Sequence, residues 1–332
     1  MGVGPSRGLA VRPAMTTDRQ AVGTGLLLVL VTALVSGLST FVNIYAVKGT
    51  SSDAFVTVRN LVVAAMILPM FALTAGRRLR RSPIGRTDLL RLGLIGLLGG
   101  AIPFLLFFHG LQLAAAQHGG TTASFFYRTL FLLAAVFAWV FLRERPNARY
   151  VAGAVVLLAG SYLLLSLNSA VLTDGTVYVL AATVLWAAEY TLSKATLSRL
   201  APSTVALGRM GFGGLFLAAY LGVTAQWGLV GRFSYGQWEW VGISAALLAA
   251  FVATWYAGLA RVELGVATSV LVLGYPVTWL LFVAVGAATF STEEAAGAVA
   301  VLAGVGLVVG LSRLRASWAW LRRAKGLRGS PD

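Results

Sequence analysis

The chain has 332 residues, 58% of them hydrophobic and 11% charged, with a mean hydropathy of +0.83. A soluble domain carries about 25% charged residues, so these values exclude an ordinary water-soluble fold. The lack of cysteine excludes a disulfide framework and thiolate chemistry.

A helix needs about 20 apolar residues to cross the hydrocarbon core of a bilayer. Ten stretches meet that requirement in chain order: 23–47, 54–75, 88–112, 119–142, 149–168, 175–197, 203–224, 238–260, 265–288 and 294–312. The first is too long and too continuous with the second to be a cleaved signal peptide. Every backbone group must find its partner within lipid, which leaves a helix bundle as the fold. The chain therefore reads as an all-α polytopic membrane protein with ten transmembrane helices.

Basic residues orient it. With the N-terminus in the cytoplasm, only Lys48 and Arg232 fall outside, while Arg59, Arg128 and Arg209 lie within spans. The other 21 of the 26 Lys and Arg are then cytoplasmic, among them the loop GRRLRRSPIGRTDLLR at 76–91 and the tail after residue 312. The formal charge of +15 is accounted for by this topology and by anionic headgroups. The expectation is a multi-pass protein of the cell (plasma) membrane with both termini cytoplasmic. Its partners are the lipid bilayer and a small-molecule substrate, with no nucleic acid, and it acts as a monomer or homodimer.

The segment AGAVVLLAG at 152–160 recurs as AGAVAVLAG at 296–304, and SSDAFVTVRN at 51–60 aligns with APSTVALGRM at 201–210. The chain divides into a cytoplasmic N-terminal arm, 1–16, two five-helix repeats, 17–168 and 169–312, and a basic cytoplasmic tail, 313–332, whose WAWLRRAKGLR stretch reads as an interfacial anchor. Five is odd, so equivalent helices cross in opposite senses. Such inverted repeats are a device of secondary transporters. Small residues seven apart (Gly153 and Gly160, Gly297 and Gly304) predict close packing of spans five and ten, against each other or against neighbours.

Charges inside the spans mark the candidate site. Glu189 lies deep in span six. At a helix centre a charge costs at least about 2.5–3.5 kcal/mol, so such residues are paired and functional as a rule. Glu189 reads as a proton carrier, as the partner of a substrate amine, or as one side of a structural ion pair with Arg128 of span four. Arg128 cannot lose its proton; its fork suits a substrate carboxylate or phosphate, or Glu189. Arg59 and Arg209 lie near the starts of spans two and seven and read as gates, or as structural residues snorkelling to the interface. Aromatic faces suit amphipathic organic molecules, and Trp186, Tyr190, Tyr127, Phe125, Phe126, Trp255, Tyr256 and Tyr275 supply them. Asn43 and Ser193, aligned by the repeat, are expected polar liners. Lys194 reads as an anchor at the interface. His109 and His118 lack a nearby carboxylate and make no metal site.

Several motifs resemble the drug/metabolite transporter superfamily, in particular its EamA-type ten-span members. They are Arg59 and Arg209 early in spans two and seven, FLRERP closing span four, AGAVVLLAG opening span five, GTVYVLAATVLWAAEYTLSK forming span six, and LGYPVTWLLF with Pro276 in span nine. The family pattern carries a proline in spans four and nine and a glutamate at their ends. Here the first half keeps Glu144 without the proline, and the second keeps Pro276 with Ala288 or Thr289 in place of the glutamate. Arg128, within FFYRTLF, is a further departure.

The expected function is that of a secondary active transporter, not an enzyme, needing no cofactor. It would export or exchange a small organic metabolite, an amino acid or similar zwitterion or anion, by alternating access with possible proton coupling. Glu189, Arg128, Trp186, Tyr190, Tyr127, Asn43, Ser193 and Tyr275 would bind substrate, with Glu189 coupling protons. The alternatives are a carrier or flippase for nucleotide sugars or lipid-linked sugars and, more distantly, a non-transporting membrane receptor.

Overall fold

The computed structural model describes residues 14–47, 49–75, 84–117, 120–165 and 172–310. Among the described residues, nine helices are long and apolar enough to cross a membrane, and a tenth, Ala148–Leu164, is shorter at 17 residues. Span one begins at Ala14, earlier than its apolar stretch and inside the segment read as the N-terminal arm, and ends at Ala46. Span two is Ser52–Thr74, span five Ala148–Leu164, span six Asp174–Thr196, span seven Pro202–Val223, span eight Tyr235–Leu259 and span ten Thr292–Val309. His118, Lys48, most of the 76–91 loop and the 313–332 tail lie outside the described residues.

Three spans are interrupted where hydropathy reads a continuous helix. Span three runs Arg86–Ile95, passes through a π-helical turn at Gly96–Ala101 and continues as Ile102–Ala116. Span four joins Gly120–Arg128 to Leu130–Phe137 and ends in a second π-helical stretch, Ala138–Leu142. Span nine joins Leu264–Leu271 to Gly274–Ala284. The causes are local. Pro276 offers no N–H to Val272 O four residues back, so that carbonyl accepts from Tyr275 N and the turn tightens. In span four the Thr129 hydroxyl bonds to Phe126 O, and its amide is shared between Phe125 O and Phe126 O. Such hydroxyl back-bonding bends helices.

The packing is that of an inverted repeat. Span two lies against seven, four against nine and five against ten. Span one packs on eight and nine, and in the same way span six packs on three and four. Exchanging the halves therefore maps the contact pattern onto itself. Spans five and ten meet along the small residues that predict the seam: a Cβ on Gly160 would lie 2.9 Å from Gly297 O, and one on Gly304 3.0 Å from Gly153 O. With no hydrophobic drive between helices in lipid, this close approach supplies the attraction. Gly304→Leu is expected to push the two helices apart. In detergent the variant should melt well below wild type, by several degrees, while the exposed Leu302→Ala stays close to wild type.

Candidate functional site

The centre of the bundle is built on span three. Pro103 leaves Gly99 O without its usual donor four residues on, and the π-helical turn accommodates the missing bond, with Ile102 N reaching Leu97 O. The released Gly99 carbonyl accepts from Trp186 Nε1 at 3.2 Å and from Arg209 Nη2 at 3.2 Å. One residue on, Gly100 O accepts from Asn60 Nδ2 at 3.0 Å. Both positions need glycine. A Cβ on Gly99 would meet Glu189 Cγ at 2.5 Å, and one on Gly100 would meet Arg209 O at 2.4 Å. π-Helical turns of this kind are frequent at functional sites.

Against that turn lies the ion pair. Glu189 is fully buried, and its Oε1 accepts from Ser193 Oγ on the same helix and from Tyr256 OH of span eight at 2.7 Å. Its Oε2 faces Arg209 Nη1 at 3.6 Å, and neither of those two atoms has a hydrogen bond. The pair is thus electrostatic and open; of the arginine's other two nitrogens, Nη2 is engaged by Gly99 O and Nε has no hydrogen-bond partner. The partner expected from sequence, Arg128, is not the one. Glu189 and Arg209 each sit seven residues from a helix end, Thr196 and Pro202, on the same side of the bundle, and that shared depth brings them together. Arg128 comes from a different level of span four.

Nor do Arg59 and Arg209 snorkel: they are 2% and 3% exposed. Arg59 donates Nε and Nη2 to Asn60 Oδ1 at 3.4 and 3.3 Å, and its guanidinium lies 5.1 Å from the Phe104 ring. Arg209 also lies over Tyr190, 5.6 Å from the ring, and Tyr190 packs on Trp255 at 4.7 Å. Phe104 and Phe107 pack on Trp186, which in turn meets Tyr127 at 5.5 Å. Ser193, Trp186 and Tyr190 therefore gather around Glu189, with Tyr127 at their edge.

Arg128 is placed differently. It ends the first segment of span four, at the tightened turn, and its guanidinium lies 3.3 Å from the centre of the Tyr275 ring, at the corresponding turn of span nine. No carboxylate pairs with it and no hydrogen bond satisfies it among the described residues, and its Nε is buried. Its neighbour Tyr127 connects this group to Trp186. Asn43 joins neither group: it accepts from Ser244 Oγ at 2.6 Å and donates to Ser39 Oγ at 3.3 Å, tying span one to span eight. Lys194 is no free anchor, since its ammonium donates to Leu259 O and Val262 O. His109 packs edge-on against Tyr178 at 5.1 Å.

Asn60, Gly99, Gly100 and Pro103 did not stand out among apolar residues. The readable signal was a proline four residues after a glycine, Gly99 to Pro103, which frees one mid-span carbonyl. Glu144, just past the end of span four, was visible only as a motif residue. Its carboxylate accepts from Leu264 N and Gly265 N at the start of span nine. Burial raises its carboxyl above the ordinary range, against the opposing pull of those two amides and of Lys194.

Ten apolar helices in two inverted halves, closed around a buried ion pair, define a multi-pass membrane protein of the transporter class. The pattern of the EamA-like transporter family matches residues 23–166 and again 173–310, and the chain belongs to that family. It is a membrane transporter of the drug/metabolite type, and the family comprises transporters rather than enzymes. A solved crystal structure, described only as that of a protein, is similar in fold: its TM-score is 0.67 at 19% identity, over 88% of this chain and 99% of its own. No curated protein matches the sequence.

Proposed function

We propose that this transporter carries a small metabolite bearing a carboxylate, an amino acid or similar zwitterion or anion, across the plasma membrane by alternating access of its two halves. Arg128 is the observation that carries the reading. A guanidinium keeps its proton, and an unpaired charge in mid-span is expensive. This one is stacked on Tyr275 of the opposite half, and its buried Nε has no hydrogen-bond partner. A substrate carboxylate would supply the missing counter-charge by two parallel hydrogen bonds, and Tyr127 and Trp186 would flank its side chain. The two tightened turns, one in each half, support this reading, since transporters of inverted repeats bind cargo near the midplane beside discontinuous helices.

Glu189 takes the role of the coupling group. It is deeply buried and held by an open ion pair, so a movement that withdraws Arg209 would leave a carboxylate that must take up a proton. The distribution of basic residues supports an orientation with both termini cytoplasmic.

The test is a melting experiment on purified protein with amino acids, dicarboxylates, nucleotide sugars and organic cations. A ligand that binds the folded state raises its melting temperature by mass action. Stabilisation by carboxylate-bearing compounds is expected. Stabilisation by nucleotide sugars alone would move the reading to a phosphate-bearing cargo, and a response only to cations would overturn it.

A further inference from the structure

The turn between spans eight and nine is held by two charged side chains from other spans. Lys194 of span six donates to Leu259 O at 2.8 Å and to Val262 O at 2.6 Å, covering the carbonyl end of span eight. Glu144, leaving span four, accepts from Leu264 N at 2.9 Å and from Gly265 N at 3.5 Å, covering the amide end of span nine. Each charge meets the helix end of opposite sign. Tyr150 of span five stands within 3.4 Å of Gly265 O and Ser269 Oγ. The cavity beside Glu144 is small, about 30 Å³, room for about one water.

The opposite end of the bundle differs. There a cavity of about 510 Å³ opens among residues that include Asp53, Leu106, His109, Gln112 and Tyr220. The repeat explains the asymmetry. The shift that lays residue 152 on 296 lays Glu144 on Ala288, and the shift that lays Asn43 on Ser193 lays Ile44 on Lys194. Neither latching residue has a charged counterpart in the inverted position.

We propose that Glu144 is a gate residue: it bolts span four of one half to span nine of the other at one end, with no carboxylate doing the same at the other end among the described residues, so that this structure is the state open at the Asp53–His109 end. Lys194 sets the turn in the place where Glu144 grips it. Each cycle must break the Glu144 contacts to open the latched end; the other end is joined more lightly, by Tyr220 OH donating to Asp53 at 3.2 Å. The inference rests on alternating access but not on the identity of the cargo.

The absence of cysteine makes the test direct. Single cysteines at Val266→Cys, beside Glu144, and Leu106→Cys, in the large cavity, report opening through their rates of alkylation by a polar maleimide in nanodiscs without substrate. In Glu144→Ala, labelling at position 266 should rise about tenfold and labelling at 106 should fall, as expected when charge-assisted hydrogen bonds are lost from one of two balanced states. A merely loosened fold would speed both sites. Unchanged rates, or a rise at both, would overturn the proposal. Ala288→Glu provides an independent arm that needs no destabilised variant: a bolt on the other end should slow labelling at 106 and speed it at 266, and no change there would count equally against the gate. Because no ligand takes part, failure here would leave the carboxylate reading untouched.

Discussion

Replacing Arg128 by alanine is expected to abolish ligand-induced stabilisation and to slow uptake of a carboxylate-bearing substrate into proteoliposomes about a hundredfold. That factor corresponds to about 2.7 kcal/mol, within reach of one bidentate, charge-assisted pair. Arg128→Lys should recover little of it. An ammonium is a point charge without the planar fork, and it stacks poorly on the Tyr275 ring. Stability should move the other way. Arg128 has no hydrogen-bond partner among the described residues, so Arg128→Met removes a poorly compensated charge and should melt at the same temperature as wild type or higher. A residue whose loss ends transport while sparing the fold is one kept for its ligand. Full transport by Arg128→Ala would instead make the stacking on Tyr275 a packing contact and return the search to Arg59 and Arg209.

The second large effect concerns the buried pair. Arg209→Met should destabilise the protein by about 3–5 kcal/mol, the cost of leaving one partner of a buried pair uncompensated. Glu189 would keep Ser193 and Tyr256 on one oxygen and have nothing for the other. Adding Glu189→Gln should restore much of that loss, because the remaining amide carries no charge to strand. Equilibrium unfolding in mixed micelles of the two singles and the double gives the coupling energy directly. A double mutant no better than Arg209→Met would mean that the two side chains do not compensate each other. The same Glu189→Gln protein should transport with a flat pH profile. A profile like that of wild type would remove Glu189 from proton coupling while leaving its structural role intact.

Much of this was legible along the chain. Hydropathy located ten spans, and the seam of spans five and ten was written in Gly153, Gly160, Gly297 and Gly304. The polar cluster was only partly legible. Glu189, Trp186, Tyr190 and Ser193 fall together because they share one helix, about one turn apart. Asn43 aligns with Ser193 in the repeat, yet it binds Ser244 and Ser39, since a repeat preserves backbone course without preserving what the neighbouring helix presents. The partner of Glu189 is not legible in the sequence for a related reason. Depth along a helix follows from counting residues at about 1.5 Å each, and counted from the nearer helix ends it favours Arg209. Without the helix ends, Arg128 looked equally close.

The sequence by itself determined the transmembrane architecture, the inversion of the halves and the type of residue at their centre. The bilayer tests each segment's own hydropathy, and backbone pairing in lipid admits only helices. The tertiary structure alone decided which charges meet. It put Arg209 rather than Arg128 on Glu189, set the carbonyl freed by Pro103 before Arg209 and Trp186, and left Glu144 bolting one end of the bundle. Those outcomes depend on how far each helix is rotated and where it crosses its neighbours. Side chains far apart in the chain set such quantities through packing, and no local window of residues contains them.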